Sequence, residues 1–174
     1  MFRSTLRRGF SRKPIALAGL VLAFAILSPA SSSAKAGGTD RPMKGTGSGT
    51  ISLNPVTGAF TGDVSGVSSE LGKVTVQLDG AGAFTADGTF AGSGTVMIVA
   101  ANGDELTGTM TLTETALPTG DTTTTVLVTI TGGTGRFADA SGTLTVVCHS
   151  GAPSHVGGML LIAAQCKFTG QVSY

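Results

Sequence analysis

The residues best suited to chemistry are two cysteines and two histidines near the C-terminal end of the sequence. Cys148 and Cys166 are the only cysteines, and His149 and His155 are the only histidines. Thiolates and imidazoles are ligands for zinc, and an imidazole beside a serine can act as a general base. This group therefore predicts a disulfide, a metal site or a hydrolytic site.

The alternation of residues around the cysteines favours the disulfide. On a strand, Cys148 shares a face with Leu144 and Val146, and Cys166 shares a face with Phe168, so both thiols should point inward. Both cysteines also follow a predicted export signal, described below, and would meet an oxidising compartment. We expect Cys148 and Cys166 to be joined.

Metal binding and catalysis are less favoured by the same geometry. Adjacent strand residues point to opposite faces, so Cys148 and His149 cannot easily share one ion. Ser150 and Ser154 lie close to the histidines, but no nucleophile motif such as G-x-S-x-G accompanies them. We interpret residues 150–158 as a polar, mobile loop, and we expect no metal ligands, no cofactor and no catalytic residues. The ligand-binding residues stay unassigned.

Many short strands must position these residues. Threonines alternate with apolar residues between glycine-containing turns such as Asp79-Gly80, a pattern typical of β-strands. Strand-like runs are predicted at residues 44–53, 59–64, 72–78, 84–90, 94–101, 104–114, 123–131, 143–148 and 159–174. A sheet with one apolar and one threonine-rich face must close into a barrel or pair as a β-sandwich. The fold is therefore predicted to be all-β.

One hairpin has a strong turn signal. Asn102-Gly103 accepts the positive φ angles of a two-residue type I′ turn. That turn would place Val99 opposite Leu106 and put Met97 on the apolar face with both.

The most specific local signal is a glycine-rich turn within residues 130–142. Gly132, Gly133 and Gly135 tolerate positive φ, so the chain can reverse tightly there. Phe137 follows among small residues and is expected to be buried as a plug, with a positive φ at Gly133 or Gly135. An arginine near the turn carboxylate Asp139 predicts an exposed ion pair. The structural turn motif comprises Gly132, Gly133, Thr134, Gly135, Arg136, Phe137, Ala140 and Gly142.

This motif resembles the G-G-T-G-[RK]-F-x-x-A-x-G signature of the dirigent and allene oxide cyclase barrel superfamily. Further short matches resemble small secreted bacterial proteins with that signature, at residues 47–50, 70–75, 101–104 and 170–174. The resemblance implies a single antiparallel eight-stranded barrel, so one predicted run must be a turn or an edge, and 84–90 is the weakest. The resemblance implies no activity, because the shared signature is a turn-and-plug element. The polar residues that line the lumen in those proteins cannot be placed in this sequence by any motif.

Residues 1–36 have the organisation of a cleavable signal peptide. A basic stretch precedes an apolar run at 15–27, and Ala34-Lys35-Ala36 supplies a small-residue cleavage site. The apolar run is shorter than the roughly 20 residues that span a bilayer. We expect a secreted or periplasmic protein without a stable membrane span after cleavage. The pair Arg7-Arg8 loosely resembles a twin-arginine export signal.

Removal of residues 1–36 makes the chain acidic. Six of the 11 basic residues lie in that segment and all 10 acidic residues follow it, so the remaining net charge is near −5. Five scattered basic residues give no electrostatic surface for nucleic acid, and that class of partner is excluded. We expect a flexible leader at 37–43 and one barrel domain at 44–174.

Three functions remain open from the sequence. The first is binding of an apolar small molecule inside the barrel. The second is a structural or surface-interaction role with a packed core, and the third is an enzyme of isomerase or dirigent type, which no site motif supports. The rings that could either line a cavity or fill it are Phe60, Phe84, Phe90, Phe137, Phe168 and Tyr174.

Overall fold

The computed structural model describes residues 38–117 and 119–174, so the signal-peptide prediction lies outside the described residues. Within them, nine strands and one short 3₁₀ turn, Gly135–Phe137, are formed. The strands are β1 (Asp40–Leu53), β2 (Ala59–Ser68), β3 (Gly72–Phe84), β4 (Phe90–Ala100), β5 (Glu105–Ala116), β6 (Thr122–Gly133), β7 (Ser141–Ser150), β8 (Ser154–Val156) and β9 (Met159–Ser173). The same residues contain no helix long and apolar enough to cross a membrane.

Eight of these strands close into one antiparallel barrel. Each strand from β1 to β7 pairs with its sequence neighbours, and β9 pairs with β7 on one side and with β1 on the other. If each inward residue is followed to its partner on the next strand, the path that starts at Leu53 of β1 goes once around the barrel and returns to β1 at Met43. This stagger means that the strands are tilted relative to the barrel axis. The prediction of a single eight-stranded barrel is confirmed, and the β-sandwich alternative is wrong. The short β8 pairs with β9 outside the barrel.

The third strand continues where a turn was expected. Asp79 and Gly80 lie inside β3 and pair with β4, so the predicted turn there is wrong. Gly80 serves packing instead, because a Cβ on it would collide with the carbonyl oxygen of Ser93 on β4 and would lie 2.6 Å from the ring of Phe60. The chain reverses after Phe84, between β3 and β4, so the predicted run at 84–90 is a turn rather than a strand.

Asp87 organises that turn. Its carboxylate accepts hydrogen bonds from the Thr85 hydroxyl and from the Thr89 amide, the latter at 3.2 Å. These bonds, the Thr85 bond first, lower the pKa of Asp87 because they stabilise its charged form. Their contribution to stability is therefore present at neutral pH and is lost as the pH falls below the usual aspartate range.

In the β4–β5 hairpin, the Ala100 amide donates to the Asp104 carbonyl at 2.8 Å, so the loop consists of three residues, 101–103, rather than two. The Gly103 amide donates to the Ala100 carbonyl at 3.0 Å, and Gly103 has a φ of +86°, as in a type I turn followed by a left-handed residue. Ile98 rather than Val99 therefore pairs with Leu106. A shift of one residue exchanges the two faces of a strand. Met97 and Val99, which were predicted to face inward, therefore face outward.

Two other boundaries differ from the sequence predictions. β1 begins at Asp40, because Met43 packs in the core with 1% of its surface exposed, so residues 40–43 are strand rather than leader. The predicted mobile loop at 150–158 contains β8, in which Ser154 pairs with Leu161 of β9.

The two ends of the barrel differ in packing. We call the end where β1 begins and β9 finishes the closed end, and the opposite end, with the β1–β2, β3–β4 and β5–β6 turns, the open end. The largest fully buried side chains lie toward the closed end or near the middle of the barrel: Phe137, Met43, Leu106, Leu144 and Val172. The closed end is therefore sealed by buried side chains.

Candidate ligand-binding cavity

The glycine-rich turn seals the closed end of the barrel. Phe137 has no exposed surface, and its ring meets the Tyr174 ring edge-on with 4.6 Å between centroids. Gly135 holds a φ of +55°. At Gly133, a Cβ would collide with the carbonyl oxygen of Glu105, so the turn can approach β5 only with glycine there. The predictions of a buried Phe137 and a positive φ at Gly135 are confirmed.

Arg136 covers the outside of this seal. Its Nε lies 3.8 Å from Oδ2 of Asp104, with 46% of the arginine side chain exposed. Its Nη2 donates to the Glu70 carbonyl at 3.1 Å, and its guanidinium lies 4.6 Å from the centroid of the Phe137 ring. This ion pair is a surface contact and offers no group to a molecule inside the barrel.

The interior of the barrel holds a cavity of about 150 Å³, whose lining extends from Met43 and Leu71 toward the closed end to Glu114 and Ser150 toward the open end. Its walls are almost entirely apolar side chains from all eight barrel strands, and the rings of Phe60, Phe90 and Phe168 are among them. Phe84, in contrast, is 56% exposed at the open end, and Phe137 fills the closed end. The aromatic residues thus divide between lining the cavity and filling the core, the two roles that the sequence left open.

The disulfide forms part of the cavity wall. Cys148 on β7 and Cys166 on β9 are bonded, with their Cα atoms 4.0 Å apart at directly opposite positions. Both residues line the cavity. The predicted pairing and the predicted inward direction are confirmed. The bond joins two adjacent strands on the side where β8 leaves the barrel.

The histidines and serines singled out from the sequence do not form a common site. His149 lies on the outward face of β7, where its Nδ1 is 3.3 Å from the Thr123 hydroxyl, whereas Ser150 is buried on the inward face. His155 is exposed on β8, and the Ser154 hydroxyl contacts the Leu161 carbonyl. Among residues 38–117 and 119–174, no group of three or more histidines, cysteines, aspartates and glutamates could hold a metal ion.

Polar groups converge at the mouth of the cavity on one wall. Glu114 on β5 and Thr124 on β6 line the cavity, and the Thr124 hydroxyl donates to Oε2 of Glu114 at 2.9 Å. Ser150 on β7 lines it as well. Among the described residues, Glu114 is the one carboxylate in this lining.

Sequence analysis missed Glu114. It belongs to no motif, yet it continues the inward alternation of Leu106, Met110 and Leu112 along β5. A charged residue at an inward position of an otherwise apolar face was the signal that could have identified it.

Comparisons of this chain with family models, with curated proteins and with solved structures found no match. Function must therefore be inferred from the cavity and from the residues at its mouth.

Proposed function

We propose that this protein binds a small apolar molecule inside its barrel. The observation that supports the proposal is the apolar cavity of about 150 Å³. An engineered protein cavity of about 150 Å³ lined by leucine, isoleucine and phenylalanine stays dry and binds benzene. A ligand with one ring or a short chain therefore suits this volume. Since Phe137 seals the closed end, the ligand enters from the open end.

The proposal also assigns a compartment. The Cys148–Cys166 disulfide fits an oxidising, exported environment. We infer that residues 1–36 direct export and are then removed, and that the protein binds its ligand in the periplasm or outside the cell. The resemblance of residues 132–142 to dirigent and allene oxide cyclase barrels supports a binding lumen without assigning a reaction.

Toluene tests the binding function because it has the size of the cavity and no polar group. Val126 and Leu127 are neighbours on β6: Val126 lines the cavity, and Leu127 faces outward and is 49% exposed. By isothermal titration calorimetry, we expect the wild type and Leu127→Phe to bind toluene alike. Val126→Phe should lose binding, because its ring occupies the ligand space.

Circular dichroism of Val126→Phe shows whether the filled barrel is still folded. No toluene binding by the wild type, or equal binding by a folded Val126→Phe, would contradict the proposal.

A second function, interaction with another macromolecule, is supported by the residues around the open end. Four large apolar side chains are exposed there, in the turns or strands that surround the mouth: Val56, Phe84, Leu117 and Val156. Large exposed apolar patches mark interaction surfaces, and these four residues lie at one end of the barrel. If this function is the main one, Val56→Ser and Phe84→Ser will change self-association or surface adhesion and leave the affinity for toluene unchanged.

A further inference from the structure

Glu114 is an unusual group to find at the mouth of an apolar cavity. Its carboxylate accepts one hydrogen bond, from the Thr124 hydroxyl at 2.9 Å. Within residues 38–117 and 119–174 it makes no ion pair. An ionised carboxylate can accept about four hydrogen bonds. Most of its accepting positions therefore have no partner among the described residues and are available to a bound molecule.

The charges around the open end are negative. The five basic residues of the described chain lie elsewhere: Arg41, Lys44, Lys73 and Arg136 lie toward the closed end, and Lys167 points outward from β9. The turns of the open end carry Asp87 and Asp121, and Glu114 lies near the open end of β5. A mouth with one sign of charge attracts molecules of the opposite sign and repels those of its own.

An unpaired hydroxyl lies close to this carboxylate. Thr122 shares the inward face of β6 with Thr124 and pairs with Ser150 of β7. Its Oγ1 is buried and has no hydrogen-bond partner among the described residues. Because buried polar atoms are almost always hydrogen-bonded, we expect this oxygen to form a hydrogen bond with a ligand or with water.

We propose that the ligand is a small organic amine, with its ammonium group bound by Glu114 at the mouth and its apolar part in the cavity. The proposal depends on the apolar-binding function above and adds the charge of the ligand. An ammonium group donates three hydrogen bonds, and those to a carboxylate are charge-assisted and short. The hydroxyls of Thr124 on β6 and Ser150 on β7, the two strands that follow β5 around the barrel, can accept the remaining ones.

Four probes of equal ring size separate charge from shape: toluene, benzyl alcohol, benzylamine and benzoate. Their affinities are measured by calorimetry at neutral pH on protein expressed from the full sequence with its own N-terminal segment. We expect the wild type to bind benzylamine roughly tenfold more tightly than benzyl alcohol, because bonds to charged groups are stronger. Benzoate should bind most weakly, because Glu114 repels it.

Two variants with the same change of net charge complete the experiment. Glu114→Gln keeps the size of the side chain and an oxygen that can accept from Thr124, and it should lower the affinity for benzylamine roughly tenfold and leave toluene unchanged. Glu105→Gln is the control, because Glu105 lies on the same strand at an outward position and does not line the cavity. It should bind all four probes as the wild type does.

The outcomes separate the two proposals. If no probe binds the wild type, both the apolar-binding function and the amine proposal are wrong. If toluene and benzyl alcohol bind but benzylamine is not preferred, or if Glu114→Gln and Glu105→Gln behave alike, the cavity binds apolar molecules and only the amine proposal is overturned.

Discussion

Phe137 and Arg136 are neighbours in sequence, but they contribute to stability in different ways. The phenylalanine is fully buried at the closed end, whereas nearly half of the arginine side chain is exposed. Burial of an aromatic ring removes a large apolar area from water, but an exposed ion pair gains little because solvent screens it. The seal of the barrel therefore depends on the ring, and the arginine covers it.

We predict that Phe137→Ala lowers the free energy of unfolding by roughly 3–5 kcal/mol, because the lost ring leaves a cavity. Arg136→Ala should lower it by less than about 1 kcal/mol. Urea denaturation of both variants measures these values, with Phe137→Leu as an intermediate control. A Phe137→Ala variant as stable as the wild type would show that the turn is not a structural plug.

The same contrast between residues explains what the sequence could reveal. Phe137 stands alone among glycines and small residues, so its burial was predictable from the local pattern. The cysteines were predictable from their strand phase and their number. Glu114 was not, because its role depends on which strands surround it and on the space left between them. A cavity is a property of packing, and no local pattern encodes it.

At the scale of elements, turn geometry decided which strand faces could be predicted. Asn102-Gly103 identified the β4–β5 hairpin, but one additional loop residue shifted the register and exchanged the faces of β4. Asp79-Gly80 has a turn composition, yet it lies in β3, where the backbone of β4 and the ring of Phe60 leave no space for a side chain at Gly80. Glycine at a close approach between elements and glycine in a turn look alike in sequence.

The disulfide connects two elements, β7 and β9. Its two cysteines are separated by 18 residues. We predict that reduction lowers the free energy of unfolding by about 3 kcal/mol, the value expected for a loop of that size from the lost constraint on the unfolded chain. Urea denaturation with and without a phosphine reductant measures this. The double variant Cys148→Ala and Cys166→Ala should be insensitive to the reductant, and an equally insensitive wild type would contradict the prediction.

For the whole molecule, closure of the sheet requires strands to bend sharply, and glycine makes this possible at selected inward positions. Gly47 and Gly49 occupy successive inward positions of β1. A Cβ at Gly49 would collide with the backbone carbonyl of Asp63 on β2, whereas a Cβ at Gly47 would lie 3.0 Å from a methyl group of Val64 and 3.1 Å from the carbonyl oxygen of Ser65. A backbone atom cannot move without disturbing the strand pairing, but a side chain can.

We therefore predict that Gly49→Ala lowers the free energy of unfolding by about 1–3 kcal/mol, as overpacking does. Gly47→Ala should have a smaller effect, because the neighbouring atoms are farther away and the Val64 side chain can adjust. Thermal and urea melts of the two variants provide the comparison. Equal stability of both variants would mean that the barrel tolerates a wider separation of β1 and β2.

The pairing of β1 with β9 determines when the barrel can close during synthesis of the chain. β9 follows the other barrel strands in the chain, and until it has been synthesised β1 and β7 are both unpaired edges of an open sheet. Open edges and exposed apolar strands are sites of aggregation, and sheets with long-range pairing form slowly. The nascent protein must therefore be kept from its neighbours until β9 has been synthesised, and loss of β9 would leave two exposed edges and an open lumen.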